Sequence, residues 1–328
     1  MNHKKTAKIV GLGTYLPKKV LTNFDLEKMV DTSDEWIKTR TGIRERRIAE
    51  KGTATSELAY MAAKSAIKNA GLRPKDIELI IVATITPDMQ FPSTSCMVQK
   101  KLGAFSAACF DIGAACSGFI YGMNIAREFL ANGTYKNALI IGAELLSTIV
   151  DWSDRNTCIL FGDGAGAAVL VPSKSNGIIS TYLGADGRDS ELLTLPGGGS
   201  RFPATYETLN NKLHFLKMSG NEVFKMAVRI MADAVNKALS KCNLTCKDID
   251  CLIPHQANIR IIKSVAKRIS LCDEKVYINL ERYGNMSSAS TAVALAEAVK
   301  TGKIKKGDIV ALVAFGSGLT WGASVLKW

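Results

Sequence analysis

The sequence predicts an α/β fold assembled from two similar halves related by a pseudo-twofold axis. Three observations carry that prediction: a long-range internal repeat, an alternation of strands and amphipathic helices within each copy, and apolar runs too continuous for strands with one wet face. Residues 56–84, SELAYMAAKSAIKNAGLRPKDIELIIVAT, resemble residues 224–255, FKMAVRIMADAVNKALSKCNLTCKDIDCLIPH. Lys75-Asp76-Ile77 and Lys247-Asp248-Ile249 lie 172 positions apart within them. Further on, residues 116–144 resemble residues 285–316, and aligning Gly133 with Gly302 gives an offset of 169 that carries Cys116 onto Asn285. One such similarity is weak, but two in the same order at nearly the same offset are not. They divide the chain into halves at 1–175 and 176–328.

Each repeat opens with an Ala-rich amphipathic helix, followed by a turn and a short apolar strand. The runs LIIVAT (79–84), ALIIGA (138–143), AAVLV (167–171) and VALVAF (310–315) read as strands buried on both faces. Right-handed crossovers then cover each sheet with helices. Packing the halves about a twofold brings equivalent helix starts together, so Cys116 and Asn285 face a shared cleft. The strand ending at His255 matches the one ending at Thr84, which points His255 to the same midline.

Composition narrows the class. With 47% hydrophobic and 22% charged residues in 328, the chain is a well-filled globule rather than a disordered or fibrous one. The start, MNHKKTAKIVGLG, lacks a signal-peptide core, and no run of 18 uncharged apolar residues follows, so a soluble cytoplasmic protein, or the mature part of an organelle protein, with no membrane association is expected. Eight cysteines, some in apolar segments expected to be strands (Cys158, Cys251), read as reduced thiols. Cys242, Cys246 and Cys251 form no C-x-x-C pair and there are three histidines, so no metal site is expected. The net charge of +12 calls for an acidic partner or ligand. A nucleic-acid platform would interleave aromatic and basic residues, which this chain does not, so nucleic acid ranks last.

Cys116 follows Gly113-Ala114-Ala115 and precedes Ser117-Gly118 and a helix. Small neighbours permit a sharp strand-to-helix elbow, and a helix N-terminus favours a thiolate. An ordinary thiol, with pKa near 8.5, is only about 3% ionised at pH 7, so activation requires a downward shift. An isolated cysteine here is more often a core residue; the repeat-related Asn285 reverses those odds. His255 ends its strand after Pro254, where α/β sheets place functional groups, although a lone histidine is more often structural. Asn285 in RYGNMSSAS is a possible helix cap, but the neighbouring serines serve that purpose equally well. Cys, His and Asn together fit two chemistries. In a hydrolase, Asn orients a His that deprotonates the thiol. In a condensing enzyme, His and Asn donate hydrogen bonds to an enolate oxygen while Cys carries an acyl group. The pattern places no carboxylate or second cysteine beside them as a base.

At TSDEWIKTRTGIRERRI, DIGAACSGF, FGDGAGAAVL, GNEVFKMAV, IPHQANIRI, YGNMSSAS and FGSGLTWG, nearly the whole chain resembles the β-ketoacyl-acyl-carrier-protein synthase III family. The resemblance implies a thiolase-like five-layered α/β/α/β/α fold, a homodimer and initiation of type II fatty acid synthesis. A short acyl group, expected to be acetyl, passes from coenzyme A to Cys116. Malonyl-acyl carrier protein then decarboxylates and condenses with it, assisted by His255 and Asn285. A related condensing enzyme with another primer or extender is the nearest alternative, a thioester hydrolase the next. The backbone N–H groups of Cys116 and Ser317 match the oxyanion hole, with Ser317 standing where glycine is commoner. Coenzyme A enters as substrate, and no tightly bound cofactor is implied. Trp36 and Arg155 match a clamp on its adenine, with Thr32 and Arg40 nearby; Asn156 stands where the family usually has glycine. Gly220, Asn221, Phe224, Ala257 and Asn258 match its pantetheine tunnel. Phe91 matches a residue that closes the partner's acyl pocket. Arg260, Lys263, Lys267 and Arg268 share one face of an amphipathic helix beside the implied tunnel mouth and form a dock for the acidic carrier protein.

Overall fold

The apolar runs, buried on both faces, produce two sheets that share a helical layer. The computed structural model describes residues 5–328. Its first sheet contains β1 (Thr6–Tyr15), β2 (Leu79–Ala83), β3 (Ala108–Ile112), β4 (Ala138–Leu145) and β5 (Asp163–Ser173), in the order β1-β5-β4-β2-β3. The second contains β6 (Gly177–Ala185), β7 (Cys251–Pro254), β8 (Ile309–Gly316) and β9 (Thr320–Lys327), in the order β6-β9-β8-β7. From β1 or β6 inward, both sheets run antiparallel, antiparallel, then parallel. Where the first sheet adds β3, the second has a single parallel bridge from Leu252 to Val276. The sheets therefore repeat the same plan.

Among the described residues, seven helices run to eight residues or more: α1 (Asp34–Thr41), α2 (Thr55–Asn69), α3 (Thr94–Leu102), α4 (Gly118–Ala131), α5 (Gly220–Ser240), α6 (Ile259–Arg268) and α7 (Ser288–Lys300). Successive side chains on a strand point to opposite faces, and the core divides accordingly. Leu79 and Ile81 of β2, with Leu312 and Ala314 of β8, meet Phe119 and Ile120 of α4 and Leu295 of α7 between the sheets. Ile80 and Val82 turn outward onto Ala62 and Ala66 of α2. Ala311 and Val313 turn the other way, onto Met231 and Val235 of α5 and Ile262 of α6. The result is five layers, with α4 and α7 as the shared central one.

The four apolar runs are buried strands, as expected. Cys158, however, lies at the end of the short helix Arg155–Cys158, because Asp154 caps that turn and accepts the Asn156 N–H at 3.0 Å. Among the described residues, no helix is long and apolar enough to cross a membrane.

Candidate active site

The two central helices start beside one cavity, with Cys116 just ahead of α4 and Asn285 just ahead of α7. Cys116 stands in the single turn Ala115–Ser117 between β3 and α4. The elbow's strain lies at Ala115, whose φ of 43° is in the left-handed region, rather than at a glycine. The turn is held because the Ser117 hydroxyl donates to the Ala114 carbonyl at 2.7 Å and Thr320 donates to the same carbonyl at 3.0 Å. Gly316, ending β8, lies directly behind: a Cβ there would stand 2.6 Å from the Cys116 nitrogen. Only glycine permits that approach.

Cys116, His255 and Asn285 line the same cavity of about 600 Å³. His255 follows β7 and is fixed by its N–H, which donates to the Val313 carbonyl at 2.7 Å. Both ring nitrogens are buried without a partner among the described residues. Burial pushes the imidazole down to about 4, so it is neutral at pH 7. Asn285 does not cap α7, which begins at Ser288. Its N–H donates to the Leu160 carbonyl at 2.8 Å and its own carbonyl accepts the Gly162 N–H at 3.0 Å. Its Oδ1 accepts the Ser287 N–H at 2.8 Å, which leaves the NH2 as its free donor.

The expected resting thiolate is not met. Burial pushes the Cys116 thiol up to about 12; the Ser287 hydroxyl pulls it down, and the nearby Glu144 charge adds to the rise. A buried sulfur loses more by leaving water than one helix end returns.

Ser317 borders the same cavity on the turn after β8. The left-handed backbone falls on Gly318, with φ of 132°, and not on Ser317, so its Cβ fits and its hydroxyl donates to the Leu193 carbonyl at 2.5 Å. Gly220, Asn221 and Phe224 from the start of α5 line the outer wall, with Ala257 and Asn258 from the entry to α6. Asn258 caps α6 by accepting the Arg260 N–H at 2.8 Å, and its amide donates to the Arg40 carbonyl at 3.1 Å. Trp36 and Arg40 complete that wall.

The Arg155 guanidinium lies 5.4 Å from the Trp36 ring centroid, within cation–π range, and donates to the Asp31 carbonyl at 2.9 Å. Neither Arg155 nor Thr32 lines the cavity, whereas Asn156 does. Phe91 is 83% exposed and lies outside this chain's cavity. On α6, Arg260, Lys263, Lys267 and Arg268 are exposed while Ile261, Ile262 and Val265 are buried; Arg260 reaches the cavity mouth, over the Phe224 ring.

One acid was missed. Glu144, on β4, is fully buried behind the site. Its Oε2 accepts from the Thr84 hydroxyl at 3.1 Å, the Ile85 N–H at 3.1 Å and the Thr86 hydroxyl at 2.8 Å. The available signal was the acid itself, which interrupts the apolar run ALIIGAELL. Among the described residues, no group of three His, Cys, Asp or Glu side chains is placed to hold a metal.

Two family models match the chain: 3-oxoacyl-[acyl-carrier-protein (ACP)] synthase III over residues 110–187, and its C-terminal counterpart over residues 239–328. A β-ketoacyl-[acyl-carrier-protein] synthase III from Caldanaerobacter subterraneus is 60% identical, covering 100% of this chain and 99% of that protein. The chain belongs to the β-ketoacyl-acyl-carrier-protein synthase III family. The counterpart from Clostridioides difficile is 57% identical, covering 100% of this chain and 99% of its own. The crystal structure of 3-oxoacyl-[acyl-carrier-protein] synthase III from Aquifex aeolicus superposes with a TM-score of 0.92 at 49% identity, covering 98% of this chain and 100% of that one. The fold is thus the thiolase-like fold of condensing enzymes. The enzyme is an acyltransferase whose condensation initiates type II fatty acid synthesis.

Proposed function

We propose that the enzyme takes a short acyl group, acetyl in the first instance, from coenzyme A onto Cys116 and condenses it with malonyl-acyl carrier protein. The observation that carries this is a pair of neutral donors sharing a cavity with the sulfur: the free Asn285 NH2 and the uncharged His255 ring. Neutral donors suit an oxygen that gains negative charge during reaction. Loss of carbon dioxide leaves its bonding electrons on the malonyl α-carbon, delocalised onto the thioester oxygen. Asn285 and His255 stabilise that enolate, and its carbon attacks the acyl-Cys116 carbonyl. The N–H groups of Cys116 and Ser317 receive the resulting oxyanion. No strong base is needed for carbon–carbon bond formation.

In this reading the half at 1–175 brings the nucleophile and the half at 176–328 the two donors. The wall formed by Gly220, Asn221, Phe224, Ala257 and Asn258 accommodates the pantetheine arm. Arg155 swings off Trp36 to admit the adenine, with Thr32 and Arg40 beside it. The cations of α6 receive the acidic carrier protein. A second copy of the chain covers exposed Phe91 and takes that ring into its acyl pocket.

The test is to incubate the enzyme with acetyl-CoA, map the acetyl mass increment, then add malonyl-carrier protein and identify the product. The increment is expected on the peptide holding Cys116 and the product is a 3-oxoacyl thioester. Label on another cysteine, or release of free acetate alone, overturns the reading. Comparing acetyl, branched and long acyl-CoA fixes the primer.

A further inference from the structure

One wall of the cavity is apolar. Ile85, Leu146, Phe161, Leu193, Leu216 and Met218 line it and pack together as one cluster. Three of these come from a short antiparallel ribbon: Leu193 and Met218 sit in its strands, Leu193–Thr194 and Lys217–Met218, and Leu216 precedes the second strand. An acyl chain carried on Cys116 leaves water by lying against that wall. Where the ribbon stands therefore determines how long a chain fits.

The ribbon's own hydrogen bonds leave one carbonyl facing outward. The Ser219 N–H donates to the Leu192 carbonyl at 2.8 Å, just beyond the ribbon's end. Bonded and unbonded pairs alternate along an antiparallel ladder, so Leu193 and Met218 form an unbonded pair and the Leu193 carbonyl points out of the ribbon. The Ser317 hydroxyl donates to that carbonyl at 2.5 Å. On its other side Ser317 is fastened to the nucleophile turn. The Thr320 hydroxyl bridges the Ser317 and Ala114 carbonyls, 3.0 Å from each, and stands 2.8 Å from Ser117 Oγ. A half-buried serine thus joins the apolar wall to the elbow that carries Cys116. The grip on the ribbon belongs to the side chain, and alanine or glycine at 317 would lack it.

We propose that Ser317 is a specificity-determining residue that couples the size of the acyl group to the oxyanion donor, resting on the reading of Cys116 as acyl carrier and of the Ser317 N–H as that donor. Only Cβ and Cα separate the hydroxyl that grips the ribbon from the N–H that receives the oxyanion. An acetyl group leaves Leu193 in place, and the N–H keeps its aim. A longer chain presses the ribbon outward, and the Leu193 carbonyl draws the hydroxyl with it. The N–H then tilts away as the tetrahedral adduct forms. Hydrogen bonds weaken steeply with misalignment, so the penalty falls on the transition state. Binding is spared, because the coenzyme A arm rests on the outer wall whatever acyl group it carries. Discrimination between primers therefore appears in the rate of acyl transfer.

The experiment is single-turnover acylation of the full-length enzyme by acetyl-, butyryl- and hexanoyl-CoA over a range of concentrations, read as acyl mass on the Cys116 peptide. In the unaltered enzyme the limiting rate is expected to fall with chain length while the half-saturating concentration stays nearly constant. Ser317→Ala keeps the Cβ and removes the grip. Its acetyl-to-hexanoyl ratio of limiting rates is expected to drop about five- to tenfold, the worth of one neutral hydrogen bond. Ser317→Gly opens no core cavity at this half-buried turn and is expected to do the same. A ratio that stays within about twofold of the unaltered enzyme's in both variants overturns the proposal, as do rates lowered equally for all three thioesters, which a merely structural contact would give. Discrimination carried wholly by the half-saturating concentration overturns it too. Label on Cys116 with an unchanged ratio defeats the coupling alone, whereas label on another cysteine in the unaltered enzyme defeats the site reading as well.

Discussion

Asn285 Oδ1 accepts the Ser287 N–H at 2.8 Å, and that bond determines which end of the carboxamide meets the cavity. Asn285→Asp keeps the acceptor and replaces the free donor with an oxygen of like charge to the enolate. Acetylation of Cys116 is expected to persist while malonyl decarboxylation falls by 10² to 10³, roughly the cost of one oxyanion donor. Measuring carbon dioxide release on pre-acetylated enzyme checks it; near-normal release removes Asn285 from the chemistry.

His255 gives a pH signature in stability. Its folded pKa is lowered to about 4, below the unfolded value near 6.5. Above pH 6.5 both states are neutral there. Between 6.5 and 4 the unfolded chain binds a proton that the native state refuses, so native stability is lost as pH falls, by about 3 kcal/mol in full. His255→Gln is expected to flatten that part of the decline, seen as a smaller drop in urea midpoint from pH 7 to 5. Parallel curves would contradict a neutral buried ring.

Gly316→Ala places a methyl against the Cys116 amide. The elbow must shift, with a stability cost of about 1–3 kcal/mol. Acetylation should fall more steeply than stability, because the displaced N–H is the one assigned to the oxyanion. Acetylation at the unaltered rate would show that this amide has slack.

Arg46 is fully buried and donates to the Leu21 carbonyl at 3.1 Å, Asn23 Oδ1 at 2.9 Å and the Ile159 carbonyl at 2.7 Å. Burial lowers its pKa to about 10, which still leaves it charged at pH 7. Arg46→Ala strands three acceptors and opens a cavity, so a loss of roughly 3–5 kcal/mol is expected in denaturant unfolding. A loss under 1 kcal/mol would mean that water takes over the acceptors.

The exposed cations of α6 make a salt-dependent prediction. Lys267→Glu with Arg268→Glu should raise KM for malonyl-carrier protein several-fold while leaving acetyl-CoA use unchanged, with the difference shrinking at high salt. Equal effects on both substrates would remove the dock.

The doubled strand order and the meeting of Cys116, His255 and Asn285 at one cavity were legible in the chain. Repeat offsets and unbroken apolar runs are written along the chain, and Leu79 to Val82 sort to alternate faces because strand geometry allows nothing else. The state of those residues, by contrast, depends on how the segments pack. The Cys116 thiol is protonated because burial there outweighs a helix terminus, and burial is a sum over segments that the sequence does not place. Likewise, the pocket around Glu144 is made by residues 84–86 and 287–288, brought together by the packing of the two halves. Arg155 rests on Trp36 for the same reason: the resemblance pairs the two residues, but the distance between them is set by the surrounding fold.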